Sequence, residues 1–349
     1  MQLSDNTLRL LETLENSIDP ETEDDYLAQW REFLDGHFPG EIFTARRKKT
    51  TVLPYDYRNL SINTALKDYE SMLVSQVEGA LRPIQSGFGV PNVRANYGTG
   101  ILTSVFGAEI FTMDEKMNTL PTTRPMGEDK IDEILDAGIP DLTGGFGRQV
   151  FEMGEFFSEV FEKYPKIKKY VRIYHPDIQG PLDLAELLIG SDLFYLFYDE
   201  PEKVKALLTL MTETYKRFLN RWLTIVPQDP EINSHWGAFM HRGQIVLRDD
   251  SAMNISPELY REFALPFDRE LLQYYHGGVV HFCGRGDHYI DLLASVPELT
   301  GINMSQPELN DMEKIYRSTV DKGIPIFAFS HARAEADKNR PGGFNHRLC

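Results

Sequence analysis

The sequence predicts an α/β protein: a (β/α)8 barrel over residues 81–349, carrying an N-terminal helical extension over residues 1–80 that packs on it. Three observations lead there. From Tyr170 onward, short β-branched runs alternate with helical periodicities at the cadence of parallel βαβ units, and so many in succession favour a barrel over an open sheet. The first forty residues carry helical signals and no strand. A chain of 349 residues is also long enough to bury one large core.

Taken in order, Leu8, Leu11 and Leu14 recur at helical spacing, as do Leu27, Trp30 and Leu34 before Gly36 and Pro39-Gly40 end the second helix. These helices read as a cap on the barrel or as a dimer element. Ala65 to Leu81 reads as a helix. Val93 to Tyr97 reads as a short strand that hands over, through Gly98-Thr99-Gly100, to a helix over Ile101 to Phe106. Met113 to Gly147, with Pro121, Pro125 and Pro140, reads as a long irregular excursion. Val150 to Tyr164 is helical. Val171 to Tyr174 is a strand, followed by His175, Asp177 and Gln179 in a loop and by a helix from Asp183.

Pro201 opens a long helix whose buried face is Val204, Leu207, Leu208, Met211, Tyr215, Phe218, Leu219 and Trp222. Strands over Ile232 to Ala238 and Gln244 to Leu247 come next, the second delivering Arg248-Asp249-Asp250, and Ser256-Pro257 caps the following helix. A Gly277-Gly278 pair leads into a buried strand through His281, then an Asp287-capped helix to Leu293, a strand over Thr300 to Asn303, a helix over Asp311 to Val320 and a strand over Pro325 to Phe329.

The formal charge of −17 opposes long-range attraction to nucleic acid or to an anionic membrane, and favours work on small molecules. The run Arg46-Arg47-Lys48-Lys49 is the single basic cluster and reads as a solvated loop. No stretch is long and apolar enough to span a bilayer, and the start of the chain lacks a basic region ahead of an apolar run. With two cysteines, a disulfide framework is excluded, and the expectation is a reducing cytoplasm in which thiolates are free to bind metal. The glycines at 98 and 100, and at 284 and 286, do not fall in a dinucleotide fingerprint.

Chemistry concentrates at His281-Phe282-Cys283. Alternate residues of a strand share a face, so the imidazole and the thiol converge, and Zn²⁺ is the usual occupant of mixed His/Cys sites. The other cysteine, Cys349, is far enough along the chain to return as a third ligand. The same residues also read as a core histidine, a buried thiol and a frayed tail.

Three stretches resemble the uroporphyrinogen decarboxylase superfamily, over a span from about Ala95 to the end. Gln179 to Gly190 followed by Asp199-Glu200-Pro201-Glu202 is similar to its G-P-x-x-x-A-x-x-x-G and D-x-P-E helices. Arg248 to Pro257 is similar to its D-D-x-x-x-x-x-S-P segment, and His281 to Gly284 to its H-x-C-G strand.

The decarboxylase branch carries an R-Q-A-G-R-Y stretch, an early-strand Asp and a Tyr on the G-P helix; this chain lacks the first and has Asn96-Tyr97 and Leu187 near the other two. The resemblance therefore implies the zinc- and cobalamin-dependent methyltransferase branch, typified by methylcobamide:coenzyme M methyltransferases. It implies zinc on His281, Cys283 and Cys349, a small-molecule thiol bound as thiolate, and a methyl-corrinoid carried by a partner protein. Asp249, Asp250 and His235 are the candidate catalytic groups, with Tyr97, His175, Gln179 and Arg248 as candidate substrate contacts. The alternatives are a tetrapyrrole decarboxylase with carboxylate clamps from Arg46, Arg47 and Arg94, or a non-catalytic corrinoid- or tetrapyrrole-binding barrel whose zinc is closed by His346.

Overall fold

The computed structural model describes residues 2–349. The chain is mixed α/β, half helix and about a tenth strand. Among the described residues the strands are β1 (Asn92–Val93), β2 (Ile110–Phe111), β3 (Thr122–Thr123), β4 (Arg172–Ile173), β5 (Asn233–His235), β6 (Phe239–His241), β7 (Ile245–Arg248), β8 (Gly278–Phe282), β9 (Leu299–Met304) and β10 (Ile326–Phe327). The strands β7, β8, β9 and β10 form a parallel sheet in that order, and β1 pairs in parallel with β4. Helices connect the parallel strands: Pro257–Leu259 and Leu265–Tyr274 between β7 and β8, Ile290–Leu293 between β8 and β9, and Met312–Ser318 between β9 and β10.

The alternation of the sheet strands sorts their side chains into two cores. Val246, Val279 and Phe327 join Val90, Ile232, Phe239 and Met240 in one cluster, which Tyr26, Trp30, Phe33 and Phe43 close from the N-terminal side. Ile245, Leu247, Val280, Phe282 and Ile302 face the helices instead. The glycines ahead of β7 and β8, Gly243 and Gly277, have a steric cause. A Cβ on Gly243 would lie 2.1 Å from the backbone of Gly277, whose φ is +97°, so β7 and β8 can start side by side only without side chains there.

The helix from Pro201 runs to Ile225, and every apolar residue expected on its inner face is fully buried. Four elements differ from the sequence expectation. The helix expected over Ala65–Leu81 is two, Ile62–Ala65 and Tyr69–Ser86, because Asp68 turns out of the first and accepts from Ser71 N (2.8 Å) to cap the second. The irregular stretch holds the antiparallel pair β2–β3 and the helix Ile131–Ala137, too short to leave a periodicity.

The segment around His235 is an antiparallel hairpin, β5 with β6, rather than one more barrel strand; its turn holds Trp236 at φ +49° ahead of Gly237. Asp287 does not cap the helix after β8. Its carboxylate accepts instead from Arg285 Nε (2.6 Å) and from Asp311 N (3.1 Å), tying two loops together.

Candidate metal centre

At the C-terminal ends of β7, β8 and β9 the parallel register sets Arg248, His281 and Asn303 side by side. Loops beyond active ends of parallel strands are where side chains from different strands can converge. Here Asp250 leaves β7, Cys283 leaves β8, and Ser305 and Gln306 leave β9. Asp250, His281 and Cys283 bring one donor atom each within 4.8 Å of one another, the one such group among the described residues. The Cys283 Sγ lies 3.4 Å from His281 Nε2, and Asp250 Oδ1 lies 3.5 Å from the same nitrogen. All three are partly buried, so the group faces a solvent-accessible side.

Each donor is held from behind. The Cys283 backbone N–H donates to Asp250 Oδ1 (2.6 Å), and Gly284 N–H donates to Gln306 Oε1 (2.5 Å). The Asp250 and Ser251 N–H groups both donate to the Asp183 carboxylate, at 3.0 and 2.7 Å, from the first turn of the helix Pro181–Ile189. His281 Nδ1 meets Asn303 Oδ1 at 2.6 Å. Trp236 stands edge to face against the His281 ring, 5.0 Å between centroids. Burial lowers the His281 pKa, keeping the imidazole in the neutral form that binds metal, and burial raises the Cys283 thiol. A histidine nitrogen, a thiolate and a carboxylate form a borderline donor set that fits Zn²⁺.

Cys349 is not part of this group. It packs with Leu27, Phe38 and Trp236 against the aromatic cluster, its backbone N–H donates to Ile326 O (3.0 Å), and burial pushes its thiol up to about 12. The C-terminal segment runs alongside β10 and Ile42 as a paired edge rather than a free tail, which sets the half-buried cysteine against that cluster. Asp250, expected as a catalytic group, supplies the third donor.

Asp249 is not part of the donor group. Fully buried, with no hydrogen-bond partner on either oxygen, it faces the helical layer, and burial together with the Asp268 charge raises its pKa well above the carboxylate range. His235 is buried below the site among Tyr174, His175, Trp236 and His241, with both nitrogens unpartnered; burial drives its pKa well below the usual value. His175 is a satisfied structural histidine, Nδ1 on Pro176 O (2.8 Å) and Nε2 accepting from Val246 N–H (3.0 Å). Burial brings it down to about 3.

Arg248 adjoins the site, paired with Asp177 and lying over the Trp236 ring, with one terminal nitrogen unpartnered. Gln179 donates to Asp177 (2.8 Å) and lines a cleft of about 490 Å³ that reaches Asp250, between Thr99, Thr123, Glu186 and Met253. Tyr97 lies outside the site, in the core against Phe146.

The arginines considered as carboxylate clamps are engaged elsewhere. Arg47 forms a buried bidentate pair with Glu23 (2.6 and 2.9 Å), Arg94 pairs with Asp177 (3.0 Å), and Arg46 lies over Phe88. His346 is bonded to Gly40 O (2.7 Å) and is not among the donors. Residues that sequence reading missed are Asn303, Ser305, Gln306, Trp236 and Asp183. Asn303 ended an expected strand, but its role follows from register, which one strand's sequence does not contain.

No protein-family model matches this chain, and no curated protein matches it.

Proposed function

We propose that this chain is a zinc-dependent methyltransferase that moves a methyl group from a methyl-corrinoid to a small-molecule thiol. The observation that carries the reading is the convergence of His281, Cys283 and Asp250 on one point at the ends of adjacent parallel strands, beside an open cleft. Three protein donors leave one position of a tetrahedral ion for a substrate. Zinc bound there would take the place of the thiol proton and keep the acceptor sulfur anionic at neutral pH.

The chain's own residues do the rest. Asn303 and Trp236 hold the imidazole, Asp183 holds the backbone that carries Asp250, and the cleft bounded by Gln179, Glu186 and Met253 gives the acceptor its place. In the transfer a sulfur–carbon bond forms and the cobalt–carbon bond breaks, its electron pair staying on cobalt. The corrinoid donor, and the protein that would carry it to the strand ends, rest on the sequence resemblance alone.

The finer architecture proposed is a closed (β/α)8 barrel. What supports closure is that Val90, Ile232, Val246, Val279 and Phe327, from successive segments of the chain, share one cluster, as a barrel lumen requires. Gly180 N–H also donates to Arg248 O (2.9 Å), linking the segment after β4 to β7.

Elemental analysis of freshly purified protein tests the site. The expected result is one zinc per chain in the wild type and in Cys349→Ser, none in His281→Ala or Cys283→Ser, and weakened retention in Asp250→Asn. Incubation with methylcobalamin and a panel of thiols is then expected to yield the methyl thioether. Folded wild-type protein that neither contains zinc nor takes it up sinks the proposal; zinc lost in Cys349→Ser but kept in Asp250→Asn overturns the third donor.

A further inference from the structure

We infer that Asn303 is a positioning residue that fixes the tautomer of His281, and thereby which ring nitrogen the site offers. The use made of that nitrogen rests on the zinc reading above; the tautomer itself does not.

The argument starts from an amide with no freedom. Asn303 is buried on β9, directly across from His281 on β8. Its NH₂ donates to Phe327 O on β10 at 2.7 Å, which settles which end of the amide is nitrogen. The oxygen is therefore the end that meets His281 Nδ1, at 2.6 Å. An amide oxygen only accepts, so Nδ1 must carry the hydrogen. In a neutral ring the lone pair is then on Nε2, the nitrogen 3.4 Å from Cys283 Sγ and 3.5 Å from Asp250 Oδ1.

A competing arrangement is close at hand. With the hydrogen on Nε2, the ring would donate to the Asp250 carboxylate and the donor set would be closed by its own hydrogen bond. A carboxylate acceptor favours that state, and the bond from Nδ1 to Asn303 opposes it. The partner behind a metal-binding histidine is commonly a carboxylate or a backbone carbonyl. An amide gives the same orientation without adding charge, so a site made of one thiolate, one carboxylate and a divalent ion stays neutral before substrate enters.

The test uses full-length, metal-free protein labelled with ¹⁵N-histidine, with long-range ¹H–¹⁵N correlation spectra at neutral pH. Wild type is expected to carry the His281 hydrogen on Nδ1, and Asn303→Asp, which keeps an acceptor in place, to do the same. Asn303→Ala is expected to move it wholly or partly to Nε2 and to weaken Zn²⁺ binding, measured against a competing chelator, by about 10- to 100-fold.

The hydrogen on Nε2 in wild type overturns the inference without any variant having to fold. So does an Asn303→Ala protein with unchanged tautomer and unchanged zinc affinity. The hydrogen on Nδ1 in wild type, shifted in Asn303→Ala, in a protein that binds no zinc, upholds Asn303 as the positioning residue while removing the zinc reading.

Discussion

Asp268 is a fully buried carboxylic acid, and burial pushes it up to about 7. Tyr260 donates to it at 3.3 Å from a π-helical turn, Tyr260–Ala264, and the orphaned Asp249 and the hydroxyl of Tyr289 lie nearby. An ordinary carboxyl in the unfolded chain ionises near 4. Between about pH 4 and 7 the folded state therefore holds a proton that the unfolded state has lost, and stability falls as the pH rises through that window, by at most about 1.4 kcal/mol per unit.

Asparagine at this position keeps an acceptor for Tyr260 and cannot ionise. Asp268→Asn is thus expected to gain stability relative to wild type as the pH goes from 4.5 to 8, read as a widening difference in Tm. A difference that is flat across that range would show that Asp268 ionises in the folded protein as it does in the unfolded chain, with no upward shift. The same scale explains why Asp249 and Asp250 were indistinguishable in sequence. The chain leaves β7 at Asp249, which stays fully buried, and turns at Asp250 into a 3₁₀ turn that brings its carboxylate to His281 and Cys283; two identical neighbours do not show where that turn begins.

At the scale of elements, the helices Gly147–Phe161 and Pro201–Ile225 meet where Gly154 lies under Trp222. A Cβ added at Gly154 would lie 2.6 Å from Trp222 Cζ3 and 2.9 Å from Cη2, and Trp222 is fully buried. Gly154→Ala overpacks this crossing and is expected to cost about 1–3 kcal/mol in urea unfolding. Trp222→Phe makes room at the same point, so the double variant is expected to be more stable than the sum of the two single losses implies. Strict additivity would mean that the two residues do not share the contact. The long helix was legible because its stripe repeats over 25 residues; the glycine that admits its tryptophan was not, because a close approach leaves no mark on either helix alone.

At the scale of the molecule, the first two helices are not an appendage. Leu10, Leu11 and Leu14 are buried in the main core, while Trp30 and Phe33 enter the cluster that lies behind the strand faces. Phe33 stacks on Phe43 with ring centroids 4.5 Å apart and meets Phe327 of β10 edge to face at 6.2 Å. Phe33→Ala is expected to cost about 3–5 kcal/mol and to lower the midpoint of a single cooperative transition. An early separate transition of the N-terminal helices would show instead that they fold as an independent unit. Among the described residues no helix is long and apolar enough to cross a membrane.

The sequence by itself determined the α/β class, the order of most elements and the pairing of His281 with Cys283, because periodicity and strand alternation are local properties of the chain. It marked Asp250 as a candidate catalytic group rather than a metal donor, and it offered Cys349 as a third ligand from its spacing along the chain and from the family resemblance. Tertiary structure alone decided that Asp250 completes the donor group, that Cys349 packs against an apolar cluster, and that Asn303 stands behind His281. Those choices depend on which strands lie side by side and in what register. They are set by the packing of side chains distant in sequence, as where Gly243 and Gly277 let β7 and β8 begin together, and no single stretch of the chain records them.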